Sequence, residues 1–89
     1  MRMTKDPQAV LDYGFDWSAW LADGETITAS SWLISDTGLT ADSDEATDTT
    51  ATIWLSGGTL GTTYRVTNHI ITSQNRQDDR TLTISVVNL

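Results

Sequence analysis

The order of apolar and polar positions predicts β-strands along most of the chain. In LDYGFDWS, residues 11–18, large apolar side chains alternate with polar or small ones, so all of the large side chains fall on one face of a strand. A second strand is predicted within ETITASSWLIS, residues 25–35, where both faces carry apolar residues and the pattern leaves the buried face undecided. Between these segments, Trp17, Trp20 and Leu21 have the spacing of one helical turn, which predicts a short helical turn at residues 17–21.

The second half of the chain predicts further strands around a glycine-rich corner. TATIWLS (50–56) and TTYRVTNHIIT (62–72) are rich in β-branched and aromatic residues, and GGTLG separates them. RTLTISVV (80–87) follows a polar turn and predicts a closing strand, whereas LTADSDEATDTT (39–50) predicts a short edge strand that runs into an exposed acidic loop at 42–48. Turn signals every 8–12 residues favour an all-β sandwich of about seven short antiparallel strands.

Length and composition limit the class of protein. Residues 10–89 are enough for one small sandwich domain, and residues 1–9 have so little apolar content that we expect a flexible N-terminal arm. The chain contains no cysteine, which fits assembly in a reducing cytoplasm. No apolar run approaches the roughly 20 residues of a membrane span, and we expect neither a signal peptide nor a membrane partner.

The charge is negative and unevenly distributed. The net charge is −7, and residues 1–48 carry ten acidic residues against Arg2 and Lys5. An acidic half repels a phosphate backbone, and binding to nucleic acid depends on neutralising phosphates. We therefore expect no nucleic-acid partner.

Few side chains could carry out catalysis or bind a metal. His69 is the only histidine, and a metal site of the zinc type needs three or four converging ligands. The eight serines share this one histidine, and no G-x-S-x-G motif is present. We interpret His69 as a strand residue beside polar neighbours, and we predict no catalytic residue, no metal ligand, no cofactor and no enzyme activity.

Carboxylates are concentrated in two places. The densest group comprises Asp42, Asp44, Glu45 and Asp48. Carboxylates in a loop can bind calcium, but their spacing departs from that of an EF-hand loop, so a solvated acidic loop is favoured over a calcium site. Asp12 and Asp16 share one face of the first predicted strand, and we interpret them as its solvent face.

The four tryptophans are candidate contact residues. A core this small cannot enclose all of them, since each has on the order of 200 Å² of surface to bury. If Ile53 and Leu55 face the core, Trp54 faces solvent, and exposed aromatic residues often mark a contact surface. The turn containing Trp17 and Trp20 is a second candidate surface, although these indoles could instead cap an open end of the sandwich.

The segment LGTTYRV resembles the corner of immunoglobulin-like and fibronectin type III domains, in which a tyrosine hydroxyl binds nearby backbone. The resemblance implies a structural role for Tyr64 at this corner, together with Gly61, and it places Val66 where antibody domains have a cysteine. The physical argument agrees, because a buried tyrosine hydroxyl needs a partner and a tight turn offers backbone groups.

The chain as a whole resembles a family of small tailed-bacteriophage proteins. The similarity lies in KDPQAVLDYGFDWSAWL, GETITASSW, TIWLSGGTLGTTYRVTNHIIT and DDRTLTI. It implies a structural virion component that is made in the host bacterial cytoplasm and bound, in symmetric copies, to the capsid or the head-to-tail neck. Major capsid, portal or connector subunits would then be its partners. His69 stands where the family pattern has an arginine.

Two sets of contact residues are predicted. The aromatic set is Trp17, Trp20 and Trp54, and the N-terminal set, on an arm that would order against a neighbouring subunit, is Lys5, Asp6 and Pro7. The alternative function is a carbohydrate- or receptor-binding module on the virion surface, in which Trp20 or Trp54 stacks on a sugar ring.

Overall fold

The computed structural model describes residues 2–88, which form seven β-strands in two sheets. The strands are β1 Arg2–Lys5, β2 Leu11–Asp16, β3 Ile27–Ile34, β4 Leu39–Ala46, β5 Thr50–Gly57, β6 Thr63–Thr72 and β7 Gln77–Val86. One sheet has the order β1-β7-β6-β3 and the other the order β2-β5-β4. The all-β sandwich predicted from the sequence is confirmed. Its strands pair antiparallel, except that β1 and β7 run parallel.

The core lies between the two sheets and is formed by alternate residues of the strands. Successive side chains of a strand point to opposite faces, so a period of two in the sequence supplies one apolar face per strand. The buried apolar residues are Tyr13, Phe15, Trp17, Ile27, Leu39, Ala51, Ile53, Leu55, Tyr64, Val66, Ile70, Leu82, Ile84 and Val86. These side chains pack as one cluster, and the two sheets therefore share a single core.

An irregularity in the pairing explains why the sequence pattern of β3 was ambiguous. The register between β3 and β6 shifts between Ile27 and Ala29. Ile27 is buried before the shift, and Trp32 and Ile34 pack against the core after it. A bulge exchanges the faces of the residues that follow it, so the two halves of β3 bury opposite positions of the alternation. The Trp32 ring stacks on Phe15 with 6.0 Å between the ring centroids.

The N-terminal residues differ from the prediction of a flexible arm over residues 1–9. Residues 2–5 form β1 and pair with β7 at the edge of the four-stranded sheet. The Lys5 side chain is fully buried, and its Nζ donates hydrogen bonds to the carbonyls of Gly57 (2.7 Å) and Asp6 (2.9 Å). Backbone pairing fixes these residues whatever their hydropathy, which is why composition alone did not reveal the strand. Met1 lies outside the described residues.

The predicted turn at residues 17–21 is present. The amides of Trp20 and Leu21 both donate to the carbonyl of Trp17, at 2.9 and 3.0 Å. The chain does not continue as a helix beyond this turn, and no helix in residues 2–88 is long and apolar enough to cross a membrane.

The corner before β6 is built around the hydroxyl of Tyr64. This hydroxyl donates to the Thr37 carbonyl (3.1 Å) and accepts a hydrogen bond from the Thr59 amide (3.0 Å), so the predicted binding to backbone is confirmed. Gly38 adjoins it with φ of 102°, and a Cβ there would lie 2.8 Å from the hydroxyl, so only glycine fits. Gly61, with φ of 84°, donates its amide to the Val86 carbonyl (2.9 Å). Val66 is fully buried on the inner face of β6.

Replacing Tyr64 by phenylalanine should lower the free energy of unfolding by about 1–3 kcal/mol, because it removes two part-buried hydrogen bonds that contribute about 0.5–1.5 kcal/mol each. Tyr13→Phe is the matched control, since the Tyr13 hydroxyl has one partner, the Thr4 carbonyl at 3.2 Å. We expect the control to lose about 0.5–1.5 kcal/mol. Urea unfolding measures both, and a Tyr64→Phe variant as stable as the unaltered chain would contradict the assignment.

Candidate protein-contact surface

Trp54 lies on the outer face of the three-stranded sheet. Its neighbours Ile53 and Leu55 are buried, so the indole points away from the core and is 38 % exposed. The prediction that Trp54 faces solvent if Ile53 and Leu55 face the core is therefore confirmed. Its cross-strand neighbours are Asp12 on β2 and Ser43 on β4, so the indole is flanked by a strand on each side.

Carboxylates surround this indole. Asp12 lies directly across from Trp54, Asp42 accepts a hydrogen bond from the Ser56 hydroxyl (3.0 Å), and Glu45 pairs with Thr52. Within residues 2–88, none of these three carboxylates forms an ion pair. The outer face of β2-β5-β4 therefore offers a partner an aromatic surface surrounded by carboxylates.

The acidic residues at 42–48 lie mainly in a strand, which corrects the predicted loop. Asp42, Asp44 and Glu45 belong to β4, and the chain leaves the strand only after Ala46. Pairing with β5 holds this polar segment extended despite its low strand propensity. Since successive strand residues point to opposite faces, the carboxylates diverge. The described part of the chain contains no group of three or more His, Asp or Glu that could hold a metal ion.

Trp17 and Trp20 close one end of the sandwich. Trp17 is fully buried, and its Nε1 donates to the side-chain oxygen of Asn68 (2.9 Å). Trp20 is half-buried and lies edge-on to Trp17, with 5.4 Å between the ring centroids. The burial of Trp17 removes it from the accessible contact candidates. The positions of Trp17 and Trp20 fit the alternative interpretation, in which these indoles cap an open end of the sandwich.

Two arginines cover these indoles. The Arg76 guanidinium lies 4.1 Å from the centroid of the Trp20 ring, and that of Arg80 lies 4.1 Å from the centroid of Trp17. Such contacts contribute about 0.5–2 kcal/mol each, depending on solvent exposure. Arg80 also donates to the Asp16 carbonyl at 3.1 Å. The loop between β2 and β3 is thus held against β7 and the turn that precedes it.

Glu25 fixes Arg76 in this position. The guanidinium donates to both oxygens of the buried Glu25 carboxylate, through Nε (2.9 Å) and through Nη2. The Thr72 hydroxyl and the Ala22 amide donate to the same carboxylate. Arg76, then Thr72 and to a smaller extent Ala22 lower the pKa of Glu25 to about 2.

Asn68 joins β6, β3 and the tryptophan turn. Its side-chain nitrogen donates to the Ser30 hydroxyl (2.9 Å) and the Ser31 carbonyl (3.0 Å), while its oxygen accepts from Trp17. Our sequence analysis missed this residue. A signal was present, because Asn68 shares the parity of Tyr64 and Val66 in β6, and a polar residue on a buried face needs partners.

The other candidates occupy structural positions. His69 has partners at both ring nitrogens, Asp79 at Nδ1 and Gln77 at Nε2 (3.0 Å), and the hydrogen bond with Asp79 raises the pKa of His69. Asp6 accepts a hydrogen bond from the Gln8 amide (2.8 Å) in the turn after β1, where Pro7 is half-buried. Burial lowers the pKa of Lys5.

Acidification should test the role of Glu25. Because its pKa is about 2 in the folded chain against 4.5 for the ordinary group, the carboxylate stabilises the fold fully above pH 4.5 and loses this effect as the pH falls towards 2. We expect the Glu25→Gln variant to have a lower free energy of unfolding than the unaltered chain at neutral pH. Its free energy of unfolding should also fall less between pH 4.5 and pH 2. Glu45→Gln, at an exposed carboxylate, is the control and should keep the steep loss. Free energies of unfolding are measured with urea at each pH. If they fell equally with pH in both variants, the assignment would be contradicted.

Comparison with known families identifies the group to which the chain belongs. A family model described as podophage GP4 fiber-tail adaptor protein gp77 matches residues 5–85. No curated protein matches the chain. The matched range includes all of β2 to β6 and nearly all of β7, so it spans both sheets. The resemblance to tailed-phage virion proteins is confirmed at this level, and the chain belongs to the family of the podophage GP4 fiber-tail adaptor protein gp77, a family of phage structural proteins.

Proposed function

We propose that this protein is a structural adaptor of a phage tail, which joins other virion proteins through surface contacts and performs no catalysis. The family match over residues 5–85 carries this proposal, since the family description names an adaptor between fiber and tail. The exposed Trp54 on an acidic sheet face supports it, because aromatic residues are enriched at protein interfaces.

The internal chemistry of the chain also supports a structural role. Two ion pairs among residues 2–88 hold strands and loops, namely Glu25 with Arg76 and His69 with Asp79. Both nitrogens of the lone histidine are occupied, so a nucleophile would have to displace Asp79 or Gln77 to use this ring as its base. What the chain offers a partner is therefore its surface.

We propose further that the sandwich is immunoglobulin-like. The sheet β2-β5-β4 corresponds to the order B-E-D, and β7-β6-β3 corresponds to G-F-C, of immunoglobulin domains. The hydroxyl of Tyr64 binds backbone before β6 as a corner tyrosine does before strand F. Since this architecture hosts many functions, it supports the adaptor proposal only by providing a rigid module with exposed faces.

The family description favours the tail over the head as the position in the virion. Our sequence analysis expected the capsid or the neck, and capsid, portal and connector subunits remain candidate neighbours beside tail and fiber proteins. We propose that the protein is made in the host bacterial cytoplasm and is incorporated in several symmetric copies, as most protein assemblies are symmetric. A particle reconstruction would give location, copy number and partner together.

The contact role of Trp54 is tested by particle binding. Purified chain is added to particles that lack it, and bound protein is quantified after sedimentation. We expect Trp54→Ala to weaken binding by at least about 30-fold, the size of an interface hot spot. Leu60→Ala is the matched control, since Leu60 is an exposed large apolar residue in the loop between β5 and β6.

Near-UV circular dichroism should show that both variants keep the fold. Failure of the unaltered chain to bind would contradict the adaptor function itself. Equal binding of Trp54→Ala and the unaltered chain would contradict only the assignment of the contact surface.

The alternative, a carbohydrate- or receptor-binding module, also depends on Trp54. The indole lies beside Asp12, and sugar recognition combines an aromatic face with nearby hydrogen-bond acceptors. Trp20 is less suited, because Arg76 lies over its ring. Titration of tryptophan fluorescence with host polysaccharide should show saturable quenching that Trp54→Ala abolishes, and a flat response would discard the alternative.

A further inference from the structure

The free edge of β3 differs from the other edges of the sandwich. A strand at the edge of a sheet presents unpaired backbone N–H and C=O groups, and natural proteins block such edges with charges, prolines or short strands. β3 is the last strand of its sheet and has the sequence ITASSWLI, eight residues without a charge or a proline. Leu33 on this strand is 72 % exposed. The edge is therefore long, uncharged and accessible.

The remaining edges are each blocked. β1 has only four residues, β2 carries Asp12 and Asp16, and β4 carries several carboxylates and a register shift between Ala41 and Ser43. These features oppose pairing with another chain. β3 is thus the edge, within residues 2–88, that lacks such protection along most of its length.

The inner side of β4 lies open next to this edge. Ala41, Asp44 and Ala46 pair with Leu55, Ile53 and Ala51, which are buried in the core. Paired residues of neighbouring strands point to the same face, so these three residues of β4 also point towards the other sheet, yet all three are exposed. β3 packs beside β4 and is the last strand of its sheet. The four-stranded sheet therefore ends at β3 and leaves open the space that faces the inner side of β4. One more strand beside β3 would cover it.

We propose that the free edge of β3 accepts an extended segment of another virion protein as a fifth strand of its sheet, and that this segment carries lysine or arginine. The inference rests on the proposed adaptor function and names the chemistry of one partner. Main-chain hydrogen bonds supply affinity in such strand addition, and side-chain pockets supply specificity.

The charge of Asp44 indicates which kind of segment can bind beside β3. The added strand would lie over Asp44, which forms no ion pair within residues 2–88. Covering an unpaired carboxylate is costly unless a cation accompanies it, so the incoming segment must provide one. A second copy of this chain is a poor occupant, because its own β3 contains no cation and its net charge of −7 would add to the repulsion.

Two further features of β3 fit an added strand. A cavity of about 260 Å³ on the outer side of the sheet is lined by Ala29, Ser30, Ser31, His69 and Ile71, close enough to the edge to receive a side chain of the incoming segment. The Nε1 of Trp32 is buried without a hydrogen-bond partner among residues 2–88. Pairing within the chain thus leaves a donor on β3 unsatisfied.

Charge reversal tests the selection. Asp44→Lys and the milder Asp44→Asn are compared with Asp23→Lys, which makes the same charge change at an exposed carboxylate in the loop between β2 and β3. The readout is the uptake of each variant by particles that lack the chain. We expect Asp44→Lys to reduce uptake at least about tenfold, Asp44→Asn to reduce it less, and Asp23→Lys to leave it unchanged. Equal uptake of the two lysine variants would overturn the proposal.

Two measurements on the assembled protein identify the occupant. Amide hydrogen exchange of residues 29–34 should slow on uptake, because the free N–H groups of β3 become paired. The chain contains no cysteine, so an Ala46→Cys variant, which keeps Asp44, carries a single site for a cross-linker on the same side of β4, and mass spectrometry of the product should show a lysine- or arginine-bearing segment of another virion protein.

Other outcomes separate the two proposals. Uptake with unchanged exchange in β3, or a cross-link to another copy of this chain, would overturn the strand addition and leave the adaptor function standing. Absence of uptake of the unaltered chain would overturn both.

Discussion

The burial of two apolar sheet faces against each other is the interaction on which the rest of the structure depends. A chain of this length buries only roughly 60–65 % of the surface that it exposes when unfolded, so nearly every inward position has to contribute. Tyr13, Phe15 and Ile53 from one sheet meet Tyr64, Val66 and Ile70 from the other in one cluster. The two sheets have three and four strands, and the inner side of β4 stays open beside β3.

The buried side chains of Lys5, Glu25, Asn68 and Thr72 all form hydrogen bonds, and these contacts fasten loops and the N-terminal strand to the sheets. Asn68 holds the tryptophan turn, Glu25 and Arg76 hold the loop between β2 and β3, and Lys5 ties the N-terminal strand to the end of β5. Such groups are costly to bury without partners, which makes these connections specific as well as stabilising. They are consequently poor candidates for binding another molecule.

The two surfaces proposed for partners lie on different sheets. The outer face of β2-β5-β4 offers Trp54 among carboxylates, while the edge of β3 offers unpaired backbone beside the uncovered side of β4. An adaptor has to contact at least two neighbours, and separate surfaces allow both contacts at once. Carboxylates predominate on the outer face of β2-β5-β4, and Asp44 lies beside the edge of β3. Both surfaces therefore favour neighbours with basic segments.

Local patterns in the amino-acid sequence were enough to predict a limited set of features. Alternation predicted the class of fold and the outward position of Trp54 once Ile53 and Leu55 face inward. The backbone contact of Tyr64 was predicted from the resemblance of LGTTYRV to an immunoglobulin-like corner and from the need of a buried hydroxyl for a partner. The remaining features depend on contacts between distant residues and on backbone pairing that carries no side-chain signal, so they become visible only in the folded chain. Pairing with β7 turned an apparent arm into β1, pairing with β5 turned an acidic loop into β4, and a bulge exchanged the faces of β3. The pairing of Glu25 with Arg76, 51 residues apart, and the burial of Trp17 on Asn68 likewise arose only when the two sheets came together.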